Sequence, residues 1–245
     1  MKKKRKITKT FLILTFLTLF ISGYSQDDAT STPLGSFVYG LHAGSNVSSF
    51  YGQPHTGIIT GLTGGLQARY GFNSSLGIQS ELNYIEQGGR LLRITNPDQL
   101  GTDPRYDYLV EDRKSKVYEI ELPLLLTYDI HLSNGTVRLL AGPSVAYTIY
   151  AGSNVETTAQ LPGNMYVTFS SNNQNITNSI EPFQYNISGG LAFEFPVLSN
   201  KSMTIDFRYR YTINAIYPAY SYLGIFDVSS DLHAYGVSAT IGFNF

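Results

Sequence analysis

From Tyr118 to Tyr128 the chain changes character at every second residue. Tyr118, Ile120, Leu122, Leu124, Leu126 and Tyr128 share one side, and Glu119, Glu121 and Thr127 share the other. A period of two is the pattern of a β-strand with unlike faces. The segment from Met203 to Ile213 repeats it: Met203, Ile205, Phe207, Tyr209, Tyr211 and Ile213 oppose Thr204, Asp206, Arg208, Arg210 and Thr212. Eight such segments are read, over 37–47, 59–71, 75–87, 117–130, 136–150, 183–195, 202–214 and 232–245. They run well beyond the usual globular strand of about 5–6 residues. They suit a tilted membrane strand of about 9–11 residues with extensions beyond the bilayer.

The connections alternate in length. Strands two and three, four and five, and six and seven are joined by short turns at 71–74, 131–135 and 196–201. The other connections are longer, the largest being the loops expected over 88–116 and 151–182. Short periplasmic turns and long extracellular loops are the rule in outer-membrane barrels. The expected fold is therefore all-β: an eight-stranded antiparallel transmembrane β-barrel, with both termini on the periplasmic side. A soluble sandwich would turn the apolar faces inward and the polar faces to water. Three features oppose it: Tyr and Phe collect at strand ends, the faces without apolar residues hold charges of both signs together with small Gly, Ser, Ala and Thr, and Lys is nearly absent from the mature strands.

The N-terminus reads as an export signal. Lys2, Lys3, Lys4, Arg5, Lys6 and Lys9 precede an apolar run from Phe11 to Ile21, followed by Ser22-Gly23-Tyr24-Ser25. A basic segment, a short apolar core and small residues make a secretory signal peptide. Residues 1–25 are assigned to it, 26–36 to a short periplasmic segment and 37–245 to the barrel. Cleavage between Ser25 and Gln26 leaves 11 of the 17 basic residues against 18 acidic ones. That acidity argues against nucleic acid as a partner. The chain has no Cys, which excludes disulfides, thiolate metal sites and cysteine nucleophiles.

The chain ends Val237-Ser238-Ala239-Thr240-Ile241-Gly242-Phe243-Asn244-Phe245. A terminal aromatic with apolar residues at every second position resembles the signal read by the outer-membrane assembly machinery, matched by Val237, Ala239, Ile241, Phe243 and Phe245. Gly40-Leu41-His42-Ala43-Gly44-Ser45-Asn46, Tyr118-Glu119-Ile120-Glu121-Leu122-Pro123-Leu124-Leu125 and Leu140-Ala141-Gly142-Pro143-Ser144 are similar to stretches of the PorT-like outer-membrane β-barrel family of Bacteroidetes. The resemblance spans nearly all of the mature chain. It implies an outer-membrane barrel and, by one branch of the family, an accessory place in secretion. Pro123 lacks a ladder donor, so a bulge or a break in pairing is expected beside Leu122.

The search for chemistry yields little. His55 falls in the first outer loop, His131 in a short turn, and His233 faces lipid by parity. Only His42 points into the lumen. No Ser–His–acid arrangement is evident, although a nucleophilic site needs base and nucleophile in contact, and no His pair has metal spacing. No enzymatic activity and no cofactor are expected. Outer-membrane lipid, lipopolysaccharide, the assembly machinery and an envelope protein are the expected partners. A structural or interaction role accessory to a secretion or adhesion complex leads; a barrel binding or passing a small solute is the alternative.

The inward faces carry the sharpest expectation. Glu81, Glu119, Glu121 and Glu194 share the lumen with Arg69, Arg138, Arg208, Arg210 and Asp206. Counting up from the short turns sets two clusters. One is a mid-height bridge of Arg208 and Arg210 with Glu81 and Glu121; the other is a lower pair, Arg138 with Glu194. Eight strands enclose a space that side chains just fill, so these groups are expected to plug it.

Overall fold

The computed structural model describes residues 37–52, 55–95, 108–161, 163, 165–198, 201–217, 222–223, 226–227 and 231–245. The assigned signal peptide and the segment 26–36 lie outside these residues. Eight long strands dominate: β1 (Phe37–Tyr51), β2 (Ile59–Gly71), β3 (Leu76–Thr95), β4 (Tyr108–Leu132), β5 (Gly135–Leu161), β6 (Phe183–Leu198), β7 (Lys201–Thr212) and β8 (His233–Asn244). Each pairs antiparallel with its sequence neighbours, and β8 returns to β1 from Gly40↔Asn244 to Tyr51↔His233. The sheet is thus closed, which removes the edges that lipid could not hydrogen-bond. Phe245 N–H completes the seam, donating to Tyr39 O at 2.9 Å.

The alternation sorts the side chains by face. On β4, Glu119, Glu121, Thr127 and Asp129 are buried, while Leu122, Leu124, Leu126 and Tyr128 are exposed. The apolar side of the chain therefore faces outward and the charged side inward, the inverse of a water-soluble barrel. Aromatic rings mark the two rims of this apolar surface. Tyr70 contacts Phe37 and Phe72 at 5.0 and 5.6 Å on the short-turn rim. Tyr84, Tyr118 and Tyr150 form a row on the far rim, with spacings of 6.4 and 5.7 Å. Ten residues of β4 separate Tyr118 from Tyr128, about 33 Å of strand; at the usual tilt this spans an apolar band of about 25 Å.

The short turns are built locally. Asn73 Oδ1 accepts from the backbone N–H groups of Ser75 and Leu76 at 2.9 and 2.7 Å, an Asx turn that reverses the chain between β2 and β3.

One expectation is corrected. The stretches 88–116 and 151–182 are largely strand: β3 runs to Thr95, β4 begins at Tyr108 and β5 reaches Leu161. A further strand, the outer arm Met165–Asn175, pairs with β5. Above the bilayer no face is forced to be apolar, so a ladder continues without alternation to reveal it. The bidentate pair of Arg90 with Asp112, at 2.7 and 2.5 Å, ties β3 to β4 there. Of the two outcomes expected beside Leu122, the structure has the break in pairing and not the bulge. Pairing of β3 with β4 lapses between Ser80↔Leu124 and Asn83↔Glu121 and resumes in the same register. The register shift instead lies at Tyr118/Glu119 against β5.

Candidate functional site: the lumen and its outer cap

Reading inward from the short-turn end, the lumen fills in three layers. The lowest is centred on Arg138, only 2% exposed. Its guanidinium donates to both oxygens of Asp129 at 2.7 and 2.8 Å and to Glu194 Oε2 at 2.6 Å. Arg69 Nη1 reaches the same Glu194 oxygen at 3.0 Å and lies 4.0 Å from Asp129. Ser202 and Asn244 donate to Glu194 Oε1 from β7 and β8. Donors from four strands, β2, β5, β7 and β8, thus converge on two carboxylates.

The middle layer holds Arg208 and Arg210, two residues apart on β7 and on one face. They serve different acids. Arg208 donates to both oxygens of Glu81, at 2.8 and 3.1 Å, and to Asp206 at 2.6 Å. Arg210 Nη1 lies 3.3 Å from Glu119 and 3.4 Å from Glu121, and its Nη2 donates to Gln87. The single bridge expected of Arg208 and Arg210 with Glu81 and Glu121 is therefore two separate groups, because β3 and β4 present their acids at different points around the barrel. The pair Arg138–Glu194 is widened by Asp129 and Arg69.

Asp129 joins the lower layer without being among the lumenal residues expected from the sequence, although it shares the parity of Glu119, Glu121 and Thr127 at the end of β4. The amides carry no such signal, yet they complete the layer. Glu81 also accepts from Gln79 at 2.6 Å and Asn83 at 2.7 Å. Gln87 donates to Glu119 at 2.6 Å and Gln184 at 2.9 Å, and Asn186 donates to Glu121 at 3.0 Å. A cavity of about 30 Å³ remains beside Arg208, Arg210, Asn83 and His42, room for a water or two.

The third layer is apolar. Phe50, Val117, Ala151 and Ala234 point inward from the outer ends of their strands and meet Ile176, Ile180, Ile216, Tyr217 and Leu232 from the outer connections. Phe50 and Tyr217 pack edge to face with centroids 5.5 Å apart. Main-chain bonds fix the connections in place: Ile216 N–H to Leu232 O at 2.7 Å, Glu181 N–H to Ile216 O at 3.0 Å, and Ile176 N–H to Ala151 O at 2.9 Å. Burial pushes the Tyr217 phenol up to about 12. Gly89 makes room for Phe50, since a Cβ there would lie 2.6 Å from the ring.

Val237, Ala239, Ile241, Phe243 and Phe245 lie on the lipid-facing side of β8, with the last two rings 6.4 Å apart. His42 is buried in the lumen. His131 contacts Ser74 O at 2.5 Å and Thr136 Oγ1 at 3.2 Å, tying two turns together. His233 stacks on Tyr211 at 6.4 Å. His55 sits in the first outer connection with a φ of 62°. Among the described residues no three His, Cys, Asp or Glu side chains gather as metal ligands would.

An apolar outer belt, a charged inner face, two aromatic rims and a closed ladder define a small transmembrane β-barrel. The family model described as the outer membrane protein beta-barrel domain matches residues 24–217. The chain belongs to that family, and its place is the outer membrane. Three solved structures resemble it. The attachment invasion locus protein Ail of Yersinia pestis is 14% identical, with 86% of this chain and 99% of that one covered at a TM-score of 0.38. Neisserial surface protein A gives 15%, 84%, 97% and 0.38. OprG from Pseudomonas aeruginosa gives 11%, 86%, 97% and 0.43. No curated protein matches the chain significantly.

Proposed function

We propose that this protein is a closed, non-enzymatic outer-membrane barrel that serves the envelope as a structural and interaction module. Its finer place is as an accessory to a secretion or adhesion complex, in keeping with the resemblance of Gly40–Asn46, Tyr118–Leu125 and Leu140–Ser144 to the PorT-like family. The observation that carries the closed reading is the filled lumen. An ion would have to separate Arg210 from Glu119 and Glu121 (3.3 and 3.4 Å) and Arg138 from Asp129 and Glu194 (2.7 and 2.6 Å). It would then have to cross the apolar layer around Phe50. Buried charges of this kind are held by their partners, and removing one partner costs about 3–5 kcal/mol. The carboxylates engaged by guanidinium and amide donors serve as structural anchors in this reading. Lipopolysaccharide and lipid surround the outer belt, and the lipid-facing end of β8 from Val237 to Phe245 is the segment offered to the assembly machinery.

The test is electrical. Purified protein incorporated into planar bilayers is expected to leave the membrane resistance unchanged at either polarity. Steady, reproducible conductance steps would overturn the closed reading and favour the small-solute barrel.

A further inference from the structure

Exposed basic side chains are few and unevenly placed. Among the described residues they are Arg90, Arg93, Lys114, Lys116 and Lys201, so all but Lys201 fall together on β3 and β4. The cross-strand register sets Lys116 level with Gly88 and Gly152, and Lys114 level with Arg90 and Asn154. These rows continue the outward face of Tyr84, Tyr118 and Tyr150, with Lys116 two residues past Tyr118 and Lys114 four. That is about 7 and 13 Å of strand, and barrel tilt reduces the heights to roughly 5 and 10 Å above the tyrosines. The headgroup region beyond the hydrocarbon is about 5–8 Å deep on each side. Both ammonium groups therefore stand at the depth of lipid phosphates.

The local arrangement suits an anion. Arg90 and Lys114 oppose each other directly, and like charges so placed destabilise a strand pair. Arg90 turns to Asp112, while Lys114 has no carboxylate at ion-pair distance among the described residues. Lys116 reaches Glu86 at 3.7 Å, an exposed pair of the kind that contributes little. Gly88 and Gly152 carry no side chain, so nothing stands directly beside Lys116 on either neighbouring strand. Tyr150 leans toward that opening: its hydroxyl lies 3.3 Å from where a Cβ of Gly152 would be. The acids Asp112 and Glu156 are paired one row farther out, so apart from Glu86 the bases and acids of this face are separated by height.

We propose that Lys114 and Lys116, with the Tyr150 hydroxyl, bind a phosphate monoester on the lipid anchor of an outer-leaflet lipopolysaccharide. Three bases in two adjoining rows match the dianion of a monoester better than the single charge of a phospholipid diester. This site rests on the reading above, in which lipopolysaccharide surrounds the barrel, and gives that contact its residues.

The probe is lipid A carrying one phosphate monoester, titrated against the full mature chain folded in dodecyl maltoside micelles, with bound lipid counted by native mass spectrometry. The same lipid after enzymatic dephosphorylation, dioleoyl phosphatidylglycerol and inorganic phosphate are the comparisons. Saturable one-to-one binding is expected, weakened about tenfold by dephosphorylation and by Lys114→Gln/Lys116→Gln, since each removes charge-assisted bonds. Tyr150→Phe is expected to weaken it less, and Lys201→Gln, at the opposite rim, not at all. The heat-dependent gel shift confirms that each variant is folded. Equal binding of the dephosphorylated lipid, or an equal loss in Lys201→Gln, overturns the site while the lipopolysaccharide contact stands; absent binding of lipid A overturns both. Phosphatidylglycerol bound as tightly overturns lipopolysaccharide as the source, and inorganic phosphate bound as tightly reassigns the row to a free anion and overturns the lipid reading. None of these arms depends on conductance, so channel steps in planar bilayers overturn the closed reading alone.

Discussion

Replacing Arg138 by Met keeps most of the side-chain volume and removes three charge-assisted hydrogen bonds, to Asp129 at 2.7 and 2.8 Å and to Glu194 at 2.6 Å. Bonds to charged groups contribute about 1.5–3 kcal/mol each, which would suggest a loss near the top of any measured range. Two features reduce it. Arg69 still stands 3.0 Å from Glu194, and Ser202 and Asn244 continue to donate to that carboxylate. Asp129 is left worse off, with Arg69 at 4.0 Å. The expected net loss is therefore about 3–5 kcal/mol, the range for breaking a buried pair from one side. Equilibrium unfolding by urea in detergent micelles, followed by tryptophan-free far-ultraviolet dichroism and the heat-dependent gel shift, reads it. The double variant Arg138→Met/Asp129→Leu is expected to recover part of the loss, since the stranded charge goes with its partner. A single variant within about 1 kcal/mol of the parent, the size of an exposed pair, would refute the claim that this layer is dry and coupled.

Phe245→Ala, or deletion of that residue, is expected to lower the amount of folded barrel in outer membranes and to raise periplasmic degradation; unchanged abundance on membrane fractionation counts against an assembly role. Gly89→Val pushes into the ring of Phe50 and is expected to cost about 1–3 kcal/mol as an overpacked core does, read as a lower midpoint in the same urea series. Tyr217 is expected to stay protonated until about pH 12. Its folded-state value lies above that of an unfolded tyrosine, so the stability it adds is full below about pH 10 and is lost as pH rises through 12. A difference titration of Tyr217→Phe at 295 nm that shows the lost phenol ionising near pH 10 would contradict its burial.

What the sequence makes legible follows from what the membrane enforces. On β4 and β7 lipid requires an apolar side chain at every second position, so the strands and the inward set, including Glu119, Glu121, Arg208 and Arg210, can be read by parity alone. Where the bilayer ends, the requirement ends too. The outer parts of β3, β4 and β5 look like polar loop, although Arg90 and Asp112 pair across them. Depth can be counted from the short turns, but direction around the barrel cannot. That is why Arg208 meets Glu81 and Asp206 while Arg210, two residues on, meets Glu119 and Glu121. The cap is the least legible part. Ile176, Ile180, Ile216 and Tyr217 sit in stretches without periodicity, and only the fold shows that they share one apolar cluster with Phe50 and Leu232.

The charge count of the middle layer explains how such a lumen can be full and still stable. Glu81, Glu119, Glu121 and Asp206 outnumber Arg208 and Arg210, so pairing charge with charge cannot be the whole answer. Glu81 shows the alternative: its two oxygens accept twice from Arg208 and once each from Gln79 and Asn83. Neutral amides supply what further cations would otherwise provide, and each is itself buried on an inward face. An amide donor has no counter-charge to exchange with a passing ion, so the network offers a permeant species few groups to hop between. The apolar layer above it removes the water an ion would need on leaving. If the barrel is closed as proposed, the two layers are barriers in series, and relieving either one alone leaves the other in place. Arg210→Ala by itself is therefore expected to leave the bilayer resistance unchanged, whereas Arg210→Ala combined with Phe50→Ala is the variant in which planar-bilayer currents should first appear; currents from the single variant would show that the cap does not seal.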